Sequence, residues 1–482
     1  MTPLFEPGRN CWKIARADRA AVIIDACAYY RIIRQAMIEA EQRILIIGWD
    51  FDPRICLMPG STDETLGGFL LSLAHRKRHS TIAILKWNFG ALKSLFRGTA
   101  MLWILRLAMT KAIRFKLDGA HPPGCSHHQK IVVIDNCFAI CGGIDMTRHR
   151  WDTSAHADDE PRRLGPDGRP YPPWHDATMA VTGDVAEALS ELARDRWQRA
   201  TGETLGPVRG ADAIWPDELE AQFTGVDLAI VRTIAEYKGQ PEVKEVEALF
   251  IDMIKAAKRF IYAENQYFTS PRIAKAIIER LGTPDPPEIV LVGPIKAEGW
   301  LEQKAMDAAR VRMAQIIGRA DPENRFRIYT PVTDGGGDIY VHAKVMIVDD
   351  EILRVGSSNW NNRSLGLDSE CDLAFQASTD EHRATIAALR TRLMAEHLGA
   401  EPEEVERSFA EIGSLNRTIE AFGGGKCLRL LELETPSADE EFVAETEFLD
   451  PKSPDEMFEA FTRRSLFSGL GGFVGRHFRS AG

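Results

Sequence analysis

The sequence has no long hydrophobic run. Its first residues, "MTPLFEPGRNCWKIARADRA", lack the apolar core of a secretory leader. The most apolar stretch outside the strand patterns, "TAMLWILRLAM" (Thr99–Met109), contains Arg106 and is too short to span a bilayer. A cytoplasmic or peripheral membrane location is therefore expected. Cysteine is sparse, with 8 in 482 residues, which argues against a disulfide framework. Cys27, Cys56, Cys137, Cys141 and Cys371 sit among apolar neighbours and read as small buried hydrophobes. "CFAIC" (Cys137–Cys141) has no second pair at zinc spacing, so no metal site is assigned. Basic charge is not in excess either. The net charge is −11, which counts against a chain whose main work is wrapping nucleic acid. A few focused cations can still hold an anion inside an acidic protein.

What is present is ordinary globular material, with 44% hydrophobic and 27% charged residues, arranged twice over. "AMIEAEQRILIIGWDF" (Ala36–Phe51) and "DMIKAAKRFIYAENQYF" (Asp252–Phe268) both read as a helix end followed by a strand. Met37, Ile38, Ala40 and Arg43 recur as Met253, Ile254, Ala256 and Arg259, at an offset of 216. Further on, His128-x-Lys130-x4-Asp135 recurs as His342-x-Lys344-x4-Asp349, at an offset of 214. Duplication explains the shared order and spacing.

Strand patterns ("RILIIGWDF", "TIAILKW", "IRFKL", "KIVVIDNCFAICGG", "RFIYAENQY", "EIVLVG", "RFRIY", "AKVMIVDDEILRVGS") alternate with helical ones such as "VAEALSELARDRWQRA". The fold class is thus α/β: two similar lobes, each a mixed sheet flanked by helices, with a site at their interface. The expected division is residues 1–201 and 241–430 for the lobes. A Gly/Pro-rich linker is expected over 202–240, and an acidic then basic tail over 431–482. The tail's "RRSLFSGLGGFVGRHFRS" could touch an anionic membrane surface, or fold back on the protein.

Residues i and i+2 of a strand share a face, so His128 and Lys130 point together, as do His342 and Lys344. Two lysines can clamp an anion. One imidazole can attack while the other protonates the leaving group and then activates water. A phosphodiester suits this apparatus, and no metal or other cofactor is needed if the lysines supply the charge. Asp135 and Asp349 have the opposite parity. A turn or salt bridge suits them as well as chemistry, though as motif members they stay among the candidate catalytic residues. By composition, roughly a few hundredths of one such motif is expected by chance.

The chain resembles the phospholipase D superfamily, the phosphodiesterases with two HKD motifs. The likeness rests on "SHHQKIVVID", "GGID", "RHRWDT", "PWHD", "IYAENQYF", "IYVHAKVMIVDD" and "GSSNWNNRS" with "DSE", in the family's order from about Trp12 to Glu396. The resemblance implies that His128 and His342 are the catalytic pair, with His128 the nucleophile, and that Lys130 and Lys344 bind phosphate. It implies a phosphate contact for Asn359. Asp145, its counterpart in the first half, gets no such role because its charge would repel. Glu370 would orient His128, and Asp152 would orient His342. Asn265 and Gln266 would line or support the cleft. His127 is expected to face away, and Trp174, His175 and Asp176 to serve packing and hydrogen bonding.

The implied activity is phospholipid hydrolysis at a membrane surface, giving phosphatidic acid and a headgroup, or transfer of the phosphatidyl group to another alcohol. A cardiolipin-synthase-like transferase and a nuclease on the same scaffold are the alternatives. No nucleic-acid partner is expected. An inactive relative would not be expected to keep both His–Lys pairs. One chain carries both, so a monomer would suffice.

Overall fold

The structure, a computed structural model, describes residues 3–77, 80–88, 99–208, 213–296, 300–423, 426–432 and 450. The basic part of the tail, and the acidic part apart from 431, 432 and Asp450, lie outside the described residues.

The first half runs β1 (Lys13–Ile24), α1 (Ala26–Glu39), β2 (Arg43–Gly48), α2 (Leu66–Arg76), β3 (Thr81–Trp87), α3 (Ala100–Ala108), β4 (Ile113–Asp118), β5 (Ile131–Ile134), β6 (Phe138–Gly142), β7 (Trp174–His175), β8 (Ala177–Thr182) and α4 (Asp184–Thr201). The second runs β9 (Phe223–Ile234), β10 (Val243–Lys244), α5 (Glu245–Ala256), β11 (Phe260–Glu264), α6 (Pro271–Leu281), β12 (Glu288–Val292), α7 (Trp300–Ala320), β13 (Phe326–Val332), β14 (Tyr340–Val341), β15 (Val345–Val348), β16 (Ile352–Gly356) and β17 (Glu370–Gln376). It closes with α8 (Asp380–Leu398), α9 (Pro402–Ile412), α10 (Leu415–Ala421) and β18 (Cys427–Leu430).

The two expected sheets are one. The strand order β18-β13-β12-β11-β15-β16-β17-β9-β1-β8-β6-β5-β2-β3-β4 reads outward from the antiparallel β1–β9 pair in matching steps. Each side continues through antiparallel pairs to β2 or β11, and then through two parallel pairs. This mirrored order is the duplication seen in the sequence.

The segment 202–240 corrects the linker reading. It contains β9, one of the two strands that join the halves, paired with β1 on one side and β17 on the other. Its Gly225 and Asp227 interrupt the apolar alternation, so the sequence pattern there is weak.

Alternate residues of each strand feed different cores. Ile131 and Val133 of β5, and Val345 and Ile347 of β15, enter one core that runs across both halves under α4 and α8. Val132 and Ile134 face a second core with α1 and α2. Met346 and Val348 face a third with α5 and α6. Each such side chain contributes about 1.5–3 kcal/mol on burial. The shared core therefore holds the two halves, and the site between them, in one fixed relation. Among the described residues, no helix is long and apolar enough to cross a membrane.

"KIVVIDNCFAICGG" and "AKVMIVDDEILRVGS" are hairpins rather than single strands. Asp135 and Asn136 have φ of 49° and 60°, and Asp349 and Asp350 have 55° and 56°. Cys137 N–H donates to Ile134 O and Glu351 N–H to Val348 O, so both loops close as two-residue turns with positive φ. Asp-Asn and Asp-Asp tolerate that conformation.

Candidate active site

Each histidine motif enters its strand from a backbone bridge to the opposite half. His128 N–H donates to Ser369 O at 2.9 Å, and His342 N–H to His175 O at 2.8 Å. β14, just before His342, pairs in parallel with β7. His127 bridges Ser369 in the equivalent way. These bridges carry the acids that orient the imidazoles. His128 Nδ1 donates to the Glu370 carboxylate at 3.0 Å, and His342 Nδ1 to Asp176 Oδ2 at 2.7 Å. Each half thus supplies the acid for the other half's histidine. Glu370 is itself held by the hydroxyls of Ser357 and Ser364.

In both rings the bond at Nδ1 fixes the tautomer and leaves Nε2 for chemistry. Burial, then the ammonium groups of Lys130 and Lys344, hold the His128 pKa well below its ordinary value. Burial, Lys344, Arg150 and Lys130 do the same to His342. Both lysines therefore act on both histidines, as convergence of the two motifs requires. A neutral imidazole is the form that can attack phosphorus. Burial raises Glu370 to about 8 and also raises Asp176.

The lysines differ in their partners. Lys130 Nζ donates to His128 O at 2.9 Å and lies 3.4 Å from Asp145 Oδ2. Lys344 Nζ donates to His342 O and to the neutral Gln266 Oε1. Burial, and the charge of Lys130, lower Lys344 to about 7 against the pull of Asp176. Asn359 is buried, and its Oδ1 has no hydrogen-bond partner among the described residues. Asn265 accepts Trp360 N–H and donates to Ser358 O, so it brackets Asn359 from both sides. The Trp49 and His128 ring centres are 6.4 Å apart in an edge-to-face arrangement, and those of Trp174 and His342 are 5.2 Å apart, with Arg150 over the Trp174 face. Gly142 and Gly356 bind the carbonyls of Lys130 and Lys344. A Cβ on either would come within 2.4 Å of Thr178 or 1.9 Å of Asp372, so only glycine lets the strands approach.

Two family models cover the chain from residue 36 to residue 389. The one described as phospholipase D matches residues 36–273, and the one described as cardiolipin synthase, PLD-like domain, matches residues 250–389. The chain belongs to the phospholipase D superfamily.

Phospholipase D alpha 4 of Arabidopsis thaliana is 22% identical, over 83% of this chain and 68% of that protein. Phospholipase D delta of the same plant is 23% identical, over 77% and 63%. The chain thus spans 63–68% of the length of these two relatives. A phosphatidylserine synthase from Haemophilus influenzae shares the fold, with a TM-score of 0.55 at 12% identity, over 83% of this chain and 95% of that one.

Three of the candidate site residues lie away from the two histidines and lysines. Asp135 accepts the backbone N–H groups of Glu41, Gln42 and Arg43. Asp349 accepts those of Lys258, Arg259 and Phe260. Each sits beyond its four-residue strand, five residues and at most roughly 16–17 Å along the chain direction from the lysine. The third letter of the motif therefore ties a hairpin turn to the start of β2 or β11 and has no contact with the reacting groups. Replacing either with Ala leaves three N–H donors unmatched, a loss of about 2–4 kcal/mol. Thermal unfolding of Asp135→Ala and Asp349→Ala checks this. The melting point falls in each, while kcat per folded molecule changes little.

Asp152 is the third correction. It binds His156 Nδ1 at 3.0 Å, Arg163 and Trp174 N–H, and does not reach His342. Asp176 takes its place. Glu370 begins β17 and Asp176 immediately precedes β8, and these two strands occupy matching places in the sheet. That correspondence was hidden because the stretch from Asp145 to Asp176 is much longer than that from Asn359 to Glu370.

Proposed function

We propose that the chain is a phospholipid phosphodiesterase of the phospholipase D type, acting at a membrane surface through a covalent phosphohistidine. One observation carries the reading: two histidines, each oriented by an acid from the opposite half, lie within the field of the same two lysines. Lys130, Lys344 and the Asn359 amide hold the phosphoryl oxygens. His128 Nε2 attacks phosphorus and the bond to the headgroup oxygen breaks; His342, which takes up a proton at Nε2 when the anionic phosphate offsets the two lysines, donates it to that oxygen. Water, deprotonated by His342, then attacks phosphorus. The P–N bond breaks, phosphatidic acid leaves and His128 is regenerated. An alcohol in place of water gives a new phosphatidyl ester by the same steps. The catalytic pair and its supports are contained in one chain, so a monomer suffices.

The family model described as cardiolipin synthase favours phosphatidyl transfer as the second reading. Release of choline, ethanolamine or glycerol from mixed phospholipid vesicles, with and without added primary alcohol, separates the two. Headgroup release with phosphatidic acid as the main product is expected, and added alcohol should divert part of it into a phosphatidyl alcohol. A product that forms only when alcohol is present would favour the transferase. Plasmid nicking without headgroup release would replace both readings with a nuclease.

A further inference from the structure

Behind β7, away from the two catalytic imidazoles, lies a second set of buried histidines and acids. Asp25 precedes α1, His156 lies in the loop after the "RHRWDT" stretch, His175 is in β7, and Glu396 is in the last turn of α8. His156 Nε2 is 3.1 Å from Glu396 Oε1 and 3.7 Å from Asp25 Oδ2. His175 Nδ1 is 2.8 Å from the same Glu396 oxygen and 3.2 Å from Asp25 Oδ1. Four ligand atoms of one ion with bonds of about 2.0–2.1 Å lie about 3.3 Å apart at tetrahedral geometry. The observed spacings bracket that value.

Three further observations concern the rings and the charge around them. His175 is fully buried, yet its Nδ1 has no aligned hydrogen bond, although two carboxylate oxygens stand close to it. The far nitrogen of each ring is held by another carboxylate: His156 Nδ1 by Asp152 at 3.0 Å, and His175 Nε2 by Glu264 at 2.8 Å. This is how metal-bound histidines are commonly fixed. The charges leave room for a dication. Asp25, Asp152 and Glu264 are buried, and the Glu396 side chain is nearly so; among the described residues, Arg163 pairs with Asp152, Lys426 lies near Glu396 and Asp25, and His397, 3.0 Å from Glu264, is pushed toward its neutral form by burial. Two more positive charges balance the group.

We propose that Asp25, His156, His175 and Glu396 form a binding site for one divalent transition-metal ion, with zinc the best match to a two-nitrogen, two-oxygen set. The ion clips α8 of the second half to β7 of the first. His175 is the residue whose carbonyl receives His342 N–H, and its neighbour Asp176 orients that imidazole. The ion is therefore a staple behind the catalytic pair and takes no part in the displacement at phosphorus. Two protons are the competing occupant. Against burial, Asp25, Asp152 and Glu396 raise His156 to about 9, so metal uptake must displace protons.

The full chain, purified without chelator or metal-affinity resin, is assayed for bound metals by mass spectrometry before and after incubation with zinc and gel filtration. One zinc per chain is expected, with a higher melting point than the stripped protein. Cobalt in its place should give the visible absorption bands of a four-coordinate ion. Glu396→Gln and His156→Ala should lose the metal. An unmodified chain that holds no zinc after incubation overturns the proposal, whatever the variants do. So does stoichiometric zinc that persists in both variants while they remain folded.

Discussion

His128→Ala and His342→Ala each lower turnover of a phospholipid by roughly four to six orders of magnitude, because nucleophile and acid–base partner act as a unit. Neither ring is part of the hydrophobic core, and both backbones stay pinned by their bridges to Ser369 and His175. The melting points should therefore move little. The two variants differ in what they accumulate. His342→Ala keeps the nucleophile and loses the group that activates water. With a substrate whose leaving group needs no proton, it should load a phosphatidyl adduct on the peptide that contains His128. His128→Ala should load none. Mass analysis of acid-quenched reactions reads the difference. An adduct on His342 in the His128→Ala protein would reverse the two roles, and normal turnover in either variant would remove the two-histidine mechanism.

The paired motifs were legible in the sequence because a strand's parity is rigid. His-x-Lys has to share a face, and its recurrence at nearly constant offset identified the second half of the site. The motif aspartates were half legible. Parity sent them away from the histidines, but their partners are backbone N–H groups some ninety residues earlier in the chain, and backbone donors leave no mark on composition. The consecutive Asp-Asn and Asp-Asp pairs were a turn signal inside what looked like continuous strand. β9 was lost for another reason. It lies within a stretch rich in Gly, Pro and charge, and its place is decided by β1 and β17 on either side, a tertiary choice that overrides local pattern. Gln266 shows the same limit. Only the fold reveals that it faces Lys344, while Lys130 lies beside Asp145, the counterpart of Asn359.

Asp176→Asn and Asp152→Asn give opposite results, and the contrast tests which acid serves His342. Asn at 176 keeps the size of the side chain and can still accept one bond, but it carries no charge to stabilise an imidazolium. It can also present its NH2 to Nδ1 and so favour the wrong tautomer. A loss in kcat of about 10²- to 10⁴-fold follows, by analogy with amide replacement of the orienting acid in a hydrolase triad. KM should change far less, since the proposed phosphate ligands Lys130, Lys344 and Asn359 are left intact. Asp152 is instead the buried counter-ion of Arg163, which lies 3.1 Å away. Its amide leaves that guanidinium uncompensated and costs about 3–5 kcal/mol of stability. kcat per folded molecule should stay close to that of the unmodified chain. Melting curves measured beside steady-state kinetics separate the outcomes. A catalytic loss in folded Asp152→Asn, with normal kcat in Asp176→Asn, would return the orienting role to Asp152. The expected pattern places it on Asp176, next to the residue whose carbonyl already fixes the His342 backbone.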